Sequence, residues 1–303
     1  MARVNSFKVI DLAHPPSNLG EMASPPQDLP IGELLKERLD LTDEQIAEIV
    51  KFAASGRLRF GDAAVALGHA CADDVLAALA QQFDYQVASH PTHRISPELV
   101  TLSQPLSAQS EAFRGIRSQL TLRAFNGTDA RRAVAVLSPD SGEGRTYVCA
   151  NLAVTLAQLG GRTLVVDADL RGPRLHEIFE VDNRVGLSSL LSGRADYRII
   201  QQVKRVRGLY VLPVGIAPPN PQELIERPTF GMLMRELTLR FDHVVVDTPA
   251  AARGADAQVT AARCGAALLI ARKDASRVHA LHDLVQSLAQ GPAQVVGAVM
   301  NEF

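Results

Sequence analysis

Ala133-Val-Ala-Val-Leu137 runs directly into Ser138-Pro-Asp-Ser-Gly-Glu-Gly-Arg-Thr146, and a helical pattern opens at Val148. Five consecutive apolar residues predict a buried strand. Gly142 and Gly144 predict a turn whose successive backbone N–H groups face one hollow. The helix that follows contributes about half a positive charge from its N-terminus. Strand, glycine-rich turn and helix together form a cradle for the oxygens of a polyphosphate. Thr146 stands where a hydroxyl ligand of Mg²⁺ belongs in such a loop. Two positions depart from the general pattern. Pro139 replaces the first glycine, and Arg145 replaces the lysine before the Ser/Thr. Arginine keeps the charge but is a planar fork rather than a compact point charge.

Outward from this loop, helix and strand signals alternate. Apolar strands are expected at 133–137, 163–166, 209–214, 243–246, 266–271 and 295–300, and helices at 111–123, 148–159, 223–237 and 279–289. Continuous apolar strands separated by helices predict an α/β fold, a parallel sheet covered on both faces. Two further strands end in acids, Leu164-Val-Val-Asp167-Ala-Asp169-Leu-Arg171 and Val244-Val-Val-Asp247-Thr-Pro249. Open parallel sheets bind ligands beyond the carboxyl ends of their strands. The cradle and the acids are therefore expected to meet there around ATP and Mg²⁺, the metal held directly or through water.

The N-terminal third reads differently. Residues 1–29 are rich in Pro, Ser and Asn, as a tail would be. Residues 30–88 predict a small all-α module with an internal repeat. Thr42 and Gln45 form a capping-box pattern, and Phe60-Gly61-Asp62 echoes Ile31-Gly32-Glu33 at an offset of 29 residues. Asp73, Asp74, Val75, Leu76 and Leu79 extend the echo of Glu44, Ile46 and Val50. Residues 89–105, with prolines at 91, 97 and 105, read as a linker to the main domain at 106–303.

A formal net charge of −2 leaves no basic footprint for nucleic acid. No stretch reaches the ~18 apolar residues of a membrane span, and no signal-peptide pattern opens the chain. A cytoplasmic location is expected, with the membrane reached only through a partner. Cys71, Cys149 and Cys264 lack metal-ligand spacing and read as small buried residues.

The main domain resembles the bacterial tyrosine kinases of the P-loop type, the cytoplasmic partners of exopolysaccharide chain-length determinant proteins. The resemblance rests on the phosphate loop, the acidic motifs at Asp167–Arg171 and Asp247-Thr248-Pro249, and Glu111-Ala-Phe-Arg114-Gly-Ile-Arg117, which fits an ExxRxxR oligomerisation motif. Leu212-Pro213-Val-Gly215 followed by Pro218-Pro-Asn-Pro221-Gln-Glu223-Leu224 also matches. The resemblance implies that Ser141, Gly142, Glu143, Gly144, Arg145, Thr146 and Tyr147 hold the nucleotide, with Asn301 near the adenine. Thr146, Asp167, Asp169 and Asp247 would hold Mg²⁺, and Arg145 with the three aspartates would serve phosphoryl transfer. One of Asp167 and Asp169 would accept the tyrosine proton. Glu111, Arg114 and Arg117 would join subunits of a homo-oligomer. The membrane partner would be a transmembrane chain-length determinant.

Family kinases carry a C-terminal run of tyrosines; the tyrosines here are Tyr85, Tyr147, Tyr197 and Tyr210, so the expected substrate is another protein, or there is none. The competing reading is an ATP-switched assembly ATPase of the partitioning or division-site type. The N-terminal module resembles the N-terminal domain of type II secretion and pilus ATPases, with a protein-docking role implied.

Overall fold

The computed structural model describes residues 31–71, 74–75, 78–79, 96–125 and 132–302. The chain divides into two compact units, Met1–Tyr85 and Gln86–Phe303. The expected tail at 1–29, linker residues 89–95, and Asp73 and Leu76 of the repeat lie outside the described residues.

In the first unit, helices α1 (Ile31–Leu39), α2 (Asp43–Gly56) and α3 (Phe60–Ala66) enclose a small core. The capping box at the start of α2 forms as expected: Gln45 N–H donates to Thr42 Oγ1 at 3.3 Å, and Thr42 N–H to Gln45 Oε1 at 2.9 Å. The repeat is visible in the packing. Buried Leu34, Leu35 and Ile49 of the first copy correspond, 29 residues on, to buried Ala63, Ala64 and Ala78 of the second. Large residues in one copy thus share one buried cluster with small ones of the other. The cap is repeated too. Cys71 N–H and Sγ–H both donate to Asp74 Oδ2, at 3.0 and 2.8 Å, as the counterpart of Thr42 and Gln45. Cys71 is therefore exposed rather than buried, while Cys149 and Cys264 are buried as expected.

The second unit is a seven-stranded sheet with helices on both faces, in the order β3-β4-β2-β5-β1-β6-β7. The strands are β1 (Ala133–Leu137), β2 (Thr163–Asp167), β3 (Gln201–Gln202), β4 (Leu209–Leu212), β5 (His243–Asp247), β6 (Gly265–Arg272) and β7 (Gln294–Asn301). All pairings are parallel except that of β3, a two-residue edge strand too short and too polar for the hydrophobic pattern to reveal. Along β1 the side chains alternate between two cores. Val134 and Val136 join one, while Ala133, Ala135 and Leu137 join the other. Both faces are covered, so the strand reads as continuously apolar.

Two sequence boundaries move. Residues 96–105 were expected in the linker, yet α4 (Val100–Ser103) packs into the main core through Val100 and Leu102, with Leu99 beside it. Asn151 Oδ1 accepts hydrogen bonds from Thr101 N–H and Oγ1, fixing this segment to the loop helix. Pro97 and Pro105 lie in turns of this unit. The helix expected at 223–237 is two helices, Pro221–Glu226 and Pro228–Arg240, because a proline disfavours the helical conformation of the residue before it. The helix Asp256–Cys264 packs beside β1 and β6.

Candidate functional site

The three motifs converge because β2, β5 and β1 are neighbours. Asp167 and Asp247, the last residues of β2 and β5, lie opposite each other in register, and Val136 of β1 lies opposite Asp247. The loop leaving β1 enters α6 (Arg145–Ala157). Gly142 and Gly144 adopt φ of +79° and +92°, the left-handed region that the turn needs. Gly144 is the N-cap of α6, and no side chain caps the first turn, so its N–H groups are available to an anion. A cleft of about 690 Å³ opens over this turn, lined by Ser141, Gly142, Gly144, Thr146, Tyr147 and Asp169 among others. That volume suits a nucleotide.

The acids differ in how their oxygens are used. Asp247 is 1% exposed. Its Oδ1 accepts Thr248 N–H at 3.1 Å, but its Oδ2 has no hydrogen-bond partner among the described residues. Burial pushes its carboxyl up to about 7, against the opposing influence of the Thr146 hydroxyl and the Arg145 charge. Asp167 is fully buried, and burial together with the charge of Asp247 pushes it well above the ordinary carboxylate value. Its Oδ1 accepts Asp169 N–H at 3.2 Å and its Oδ2 accepts Arg174 and Leu175 N–H, both at 3.1 Å. Asp169 Oδ1 accepts Arg171 and Gly172 N–H at 3.1 and 2.9 Å.

Burial holds both adjacent carboxyls above the ordinary carboxylate range, and a bound cation would favour their ionised forms. The unpartnered Oδ2 of Asp247, on a carboxyl that the Thr146 hydroxyl also influences, fits Mg²⁺ or a water of its shell. Among the described residues, no three His, Cys, Asp or Glu side chains form a ready-made cage. The site therefore fits an ion that keeps much of its water and takes further oxygens from phosphate, as Mg²⁺ does.

Several sequence-assigned residues are hydrogen-bonded within the protein. Arg145 Nε donates to the Thr248 carbonyl at 2.9 Å, and its Nη1 to the Asp140 carbonyl at 2.8 Å and to the Ser138 hydroxyl. It clamps the loop to the end of β5, a task that needs the directional fork of a guanidinium. Glu143 is 3% exposed, its carboxylate accepting Asp140 N–H at 2.9 Å and the Ser276 hydroxyl. Asn301, assigned near the adenine from the sequence, donates from Nδ2 to the Glu143 carbonyl at 3.1 Å and so ties β7 to the loop. Tyr147 lines the cleft and packs edge-on against Phe113, ring centroids 5.8 Å apart.

The ExxRxxR residues lie on α5 (Ala108–Leu120). Glu111 and Arg114 pair at 2.7 Å within the helix, Arg114 Nη1 donates to the Pro105 carbonyl at 2.8 Å, and Arg117 Nη1 donates to the Thr155 carbonyl at 3.1 Å. The two arginines thus hold the segment before α5 and the end of α6. Sequence reasoning missed Glu98, Arg174 and Arg253 in the cleft lining. No local pattern marks them, since the turns beyond β2 and β5 bring Arg174 and Arg253 to the cleft and Glu98 reaches it from the segment before α4.

Residues 134–303 match the family model for the CobQ/CobB/MinD/ParA nucleotide-binding domain. The tyrosine-protein kinase YwqD of Bacillus subtilis is 32% identical over 209 residues, which span 69% of this chain and 87% of that protein. The chain belongs to the bacterial P-loop tyrosine kinases. The kinase domain of Escherichia coli tyrosine kinase ETK superimposes with a TM-score of 0.65 at 31% identity, over 70% of this chain and 82% of that one. The tyrosine-protein kinase Wzc of Salmonella typhimurium is 29% identical over 68% of this chain but only 28% of its own length. The family thus includes proteins in which a domain of this kind is one part of a longer chain. These relatives select the kinase over the partitioning-type ATPase. Among the described residues, no helix is long and apolar enough to cross a membrane.

Proposed function

We propose that this chain transfers the γ-phosphoryl group of Mg-ATP to tyrosine on another protein, and that it thereby regulates exopolysaccharide polymerisation, chain length and export. The carrying observation is the register pairing of Asp167 with Asp247 at the strand ends beside an uncapped, glycine-turned helix N-terminus. Phosphoryl transfer needs little covalent chemistry from the protein. It needs positioning and neutralisation of charge. The N–H groups of the 141–146 turn bind the phosphates, and Arg145 and Asn301 hold that turn in shape from either side. Thr146, Asp247 and, from the neighbouring strand, Asp167 and Asp169 would hold Mg²⁺, which would neutralise phosphate charge when bound. A strand-end carboxylate, Asp169 being the one that lines the cleft, takes the tyrosine proton.

The partner in this reading is a transmembrane chain-length determinant, through which the chain reaches the inner membrane from the cytoplasm. Glu111, Arg114 and Arg117 contribute to a homo-oligomer contact; Glu111 is largely exposed and open to a neighbouring subunit. The N-terminal module serves as a protein-docking element. Incubation of the full chain with ATP, Mg²⁺ and the partner's cytoplasmic segment is expected to yield phosphotyrosine on a protein substrate. Nucleotide binding without any phosphotyrosine would overturn the kinase reading.

A further inference from the structure

The cleft must balance several negative charges on a triphosphate, and most of its arginines are already engaged. Arg145 bonds the loop, and Arg174 pairs with the Glu98 carboxylate. At the cleft's edge, Arg171 pairs with Asp256 at 3.0 Å. Arg253 is different. It is exposed, it lines the cleft, and among the described residues its guanidinium has no hydrogen-bond or ion-pair partner.

Its position is nevertheless well defined. Arg253 ends the short turn Ala251–Arg253 just beyond the Asp247-Thr248-Pro249 motif. That turn is tied to the phosphate loop by two backbone hydrogen bonds, Ala251 N–H to the Ser138 carbonyl and Ala252 N–H to the Pro139 carbonyl, both at 3.0 Å. The side chain reaches towards the loop beyond β2. A Cβ placed on Gly172 would lie 3.6 Å from Arg253 Nη1 and 3.9 Å from Asp169 Oδ2. A cation carried on the phosphate loop's own brace, and a carboxylate on the facing loop, therefore converge on one side of the cleft. A planar guanidinium is suited to two oxygens of one phosphate.

We propose that Arg253 is a catalytic residue that binds the terminal phosphate of ATP and stabilises the charge developing on it during transfer. In that step the tyrosine oxygen bonds to the γ-phosphorus as the bond from that phosphorus to the β–γ bridging oxygen breaks. The electron pair stays with ADP, and the phenolic proton passes to a carboxylate of the site. Arg253 donates N–H to the transferring oxygens throughout. The catalytic part rests on the kinase reading above; the binding part requires only that the cleft takes ATP.

The test compares the full-length chain with R253A and R253K, measuring Mg-ATP and Mg-ADP affinities by calorimetry and the rate of phosphotyrosine formation. A charge-assisted contact to the γ-phosphate alone predicts that R253A lowers ATP affinity about tenfold or more while ADP affinity stays within about twofold. The turnover number is expected to fall by about a hundredfold or more, with R253K intermediate. Retained ADP affinity shows that the variant folds. Unchanged ATP affinity and turnover would overturn the proposal. So would an equal loss for ATP and ADP, which would place Arg253 in loop support rather than at the terminal phosphate. If the wild type binds ATP but makes no phosphotyrosine, the kinase reading fails, while the ATP-to-ADP affinity ratio still decides whether Arg253 reads the third phosphate.

Discussion

Asp247 carries the most consequential charge of the site. Its folded-state pKa of about 7 lies above the ordinary 3.8, so the metal-free folded state binds a proton more tightly than the unfolded chain does. The stabilisation is fully present below 3.8 and is lost as pH rises through about 7. Without Mg²⁺, stability is expected to fall by on the order of 2–4 kcal/mol between about pH 4 and pH 8, and D247N should flatten that decline. Denaturant unfolding across this range checks the slope. Mg-nucleotide affinity should move the opposite way, rising with pH through about 7 as the carboxylate ionises, and D247N should reduce the rise to the part that Asp167 contributes. A second residue-scale prediction concerns Arg145. The sequence pattern suggests that lysine would be the better residue here. The structure predicts the reverse, because R145K removes directional donors from the carbonyls of Thr248 and Asp140. A stability loss of about 1–3 kcal/mol is expected from these groups, read as a lower thermal midpoint.

At the scale of elements, the internal repeat separates two glycines that look equivalent in sequence. A Cβ on Gly32 would meet the Phe60 ring at 3.4 Å, an ordinary contact, whereas a Cβ on Gly61 would come within 2.4 Å of Val75 Cγ1. Valine is β-branched and cannot easily turn away. G61A is expected to destabilise the N-terminal unit by about 1–3 kcal/mol, while G32A is neutral or slightly stabilising through helix propensity. Helical circular dichroism of the two variants on heating checks the contrast. The repeat itself was legible because its offset is constant. The unequal crowding was not, because it depends on which helix crosses over each glycine.

At the scale of the whole molecule, the nucleotide unit starts earlier than proline punctuation suggests. Starting the chain at residue 86 should leave a stable unit that binds nucleotide. Starting at 106 removes buried Leu99, Val100 and Leu102 and the Thr101 bonds to Asn151. At about 1.5–3 kcal/mol for each large apolar side chain, a loss on the order of 5 kcal/mol is expected, a large part of a domain's net stability. Thermal unfolding of the two truncations tests this. Light scattering of the R114A/R117A double variant should show a smaller particle if the ExxRxxR helix joins subunits. Because both arginines also bond carbonyls within their own chain, its thermal midpoint should fall as well.

What the sequence by itself determined was the set of parts: apolar strands, a glycine-turned phosphate cradle, strand-end acids and a repeated helical module. Each is a pattern within a few residues or at one constant spacing, and backbone conformation and hydrophobic burial read such patterns directly. Only the tertiary structure decided which polar groups are already engaged. Arg145 and Asn301 hydrogen-bond carbonyls in and beside the loop, while among the described residues Asp247 Oδ2 and the Arg253 guanidinium have no partner. Those outcomes depend on strand order, which makes distant segments such as 134–137, 163–167 and 243–247 neighbours, and hydrogen bonds across that order have no counterpart in local spacing.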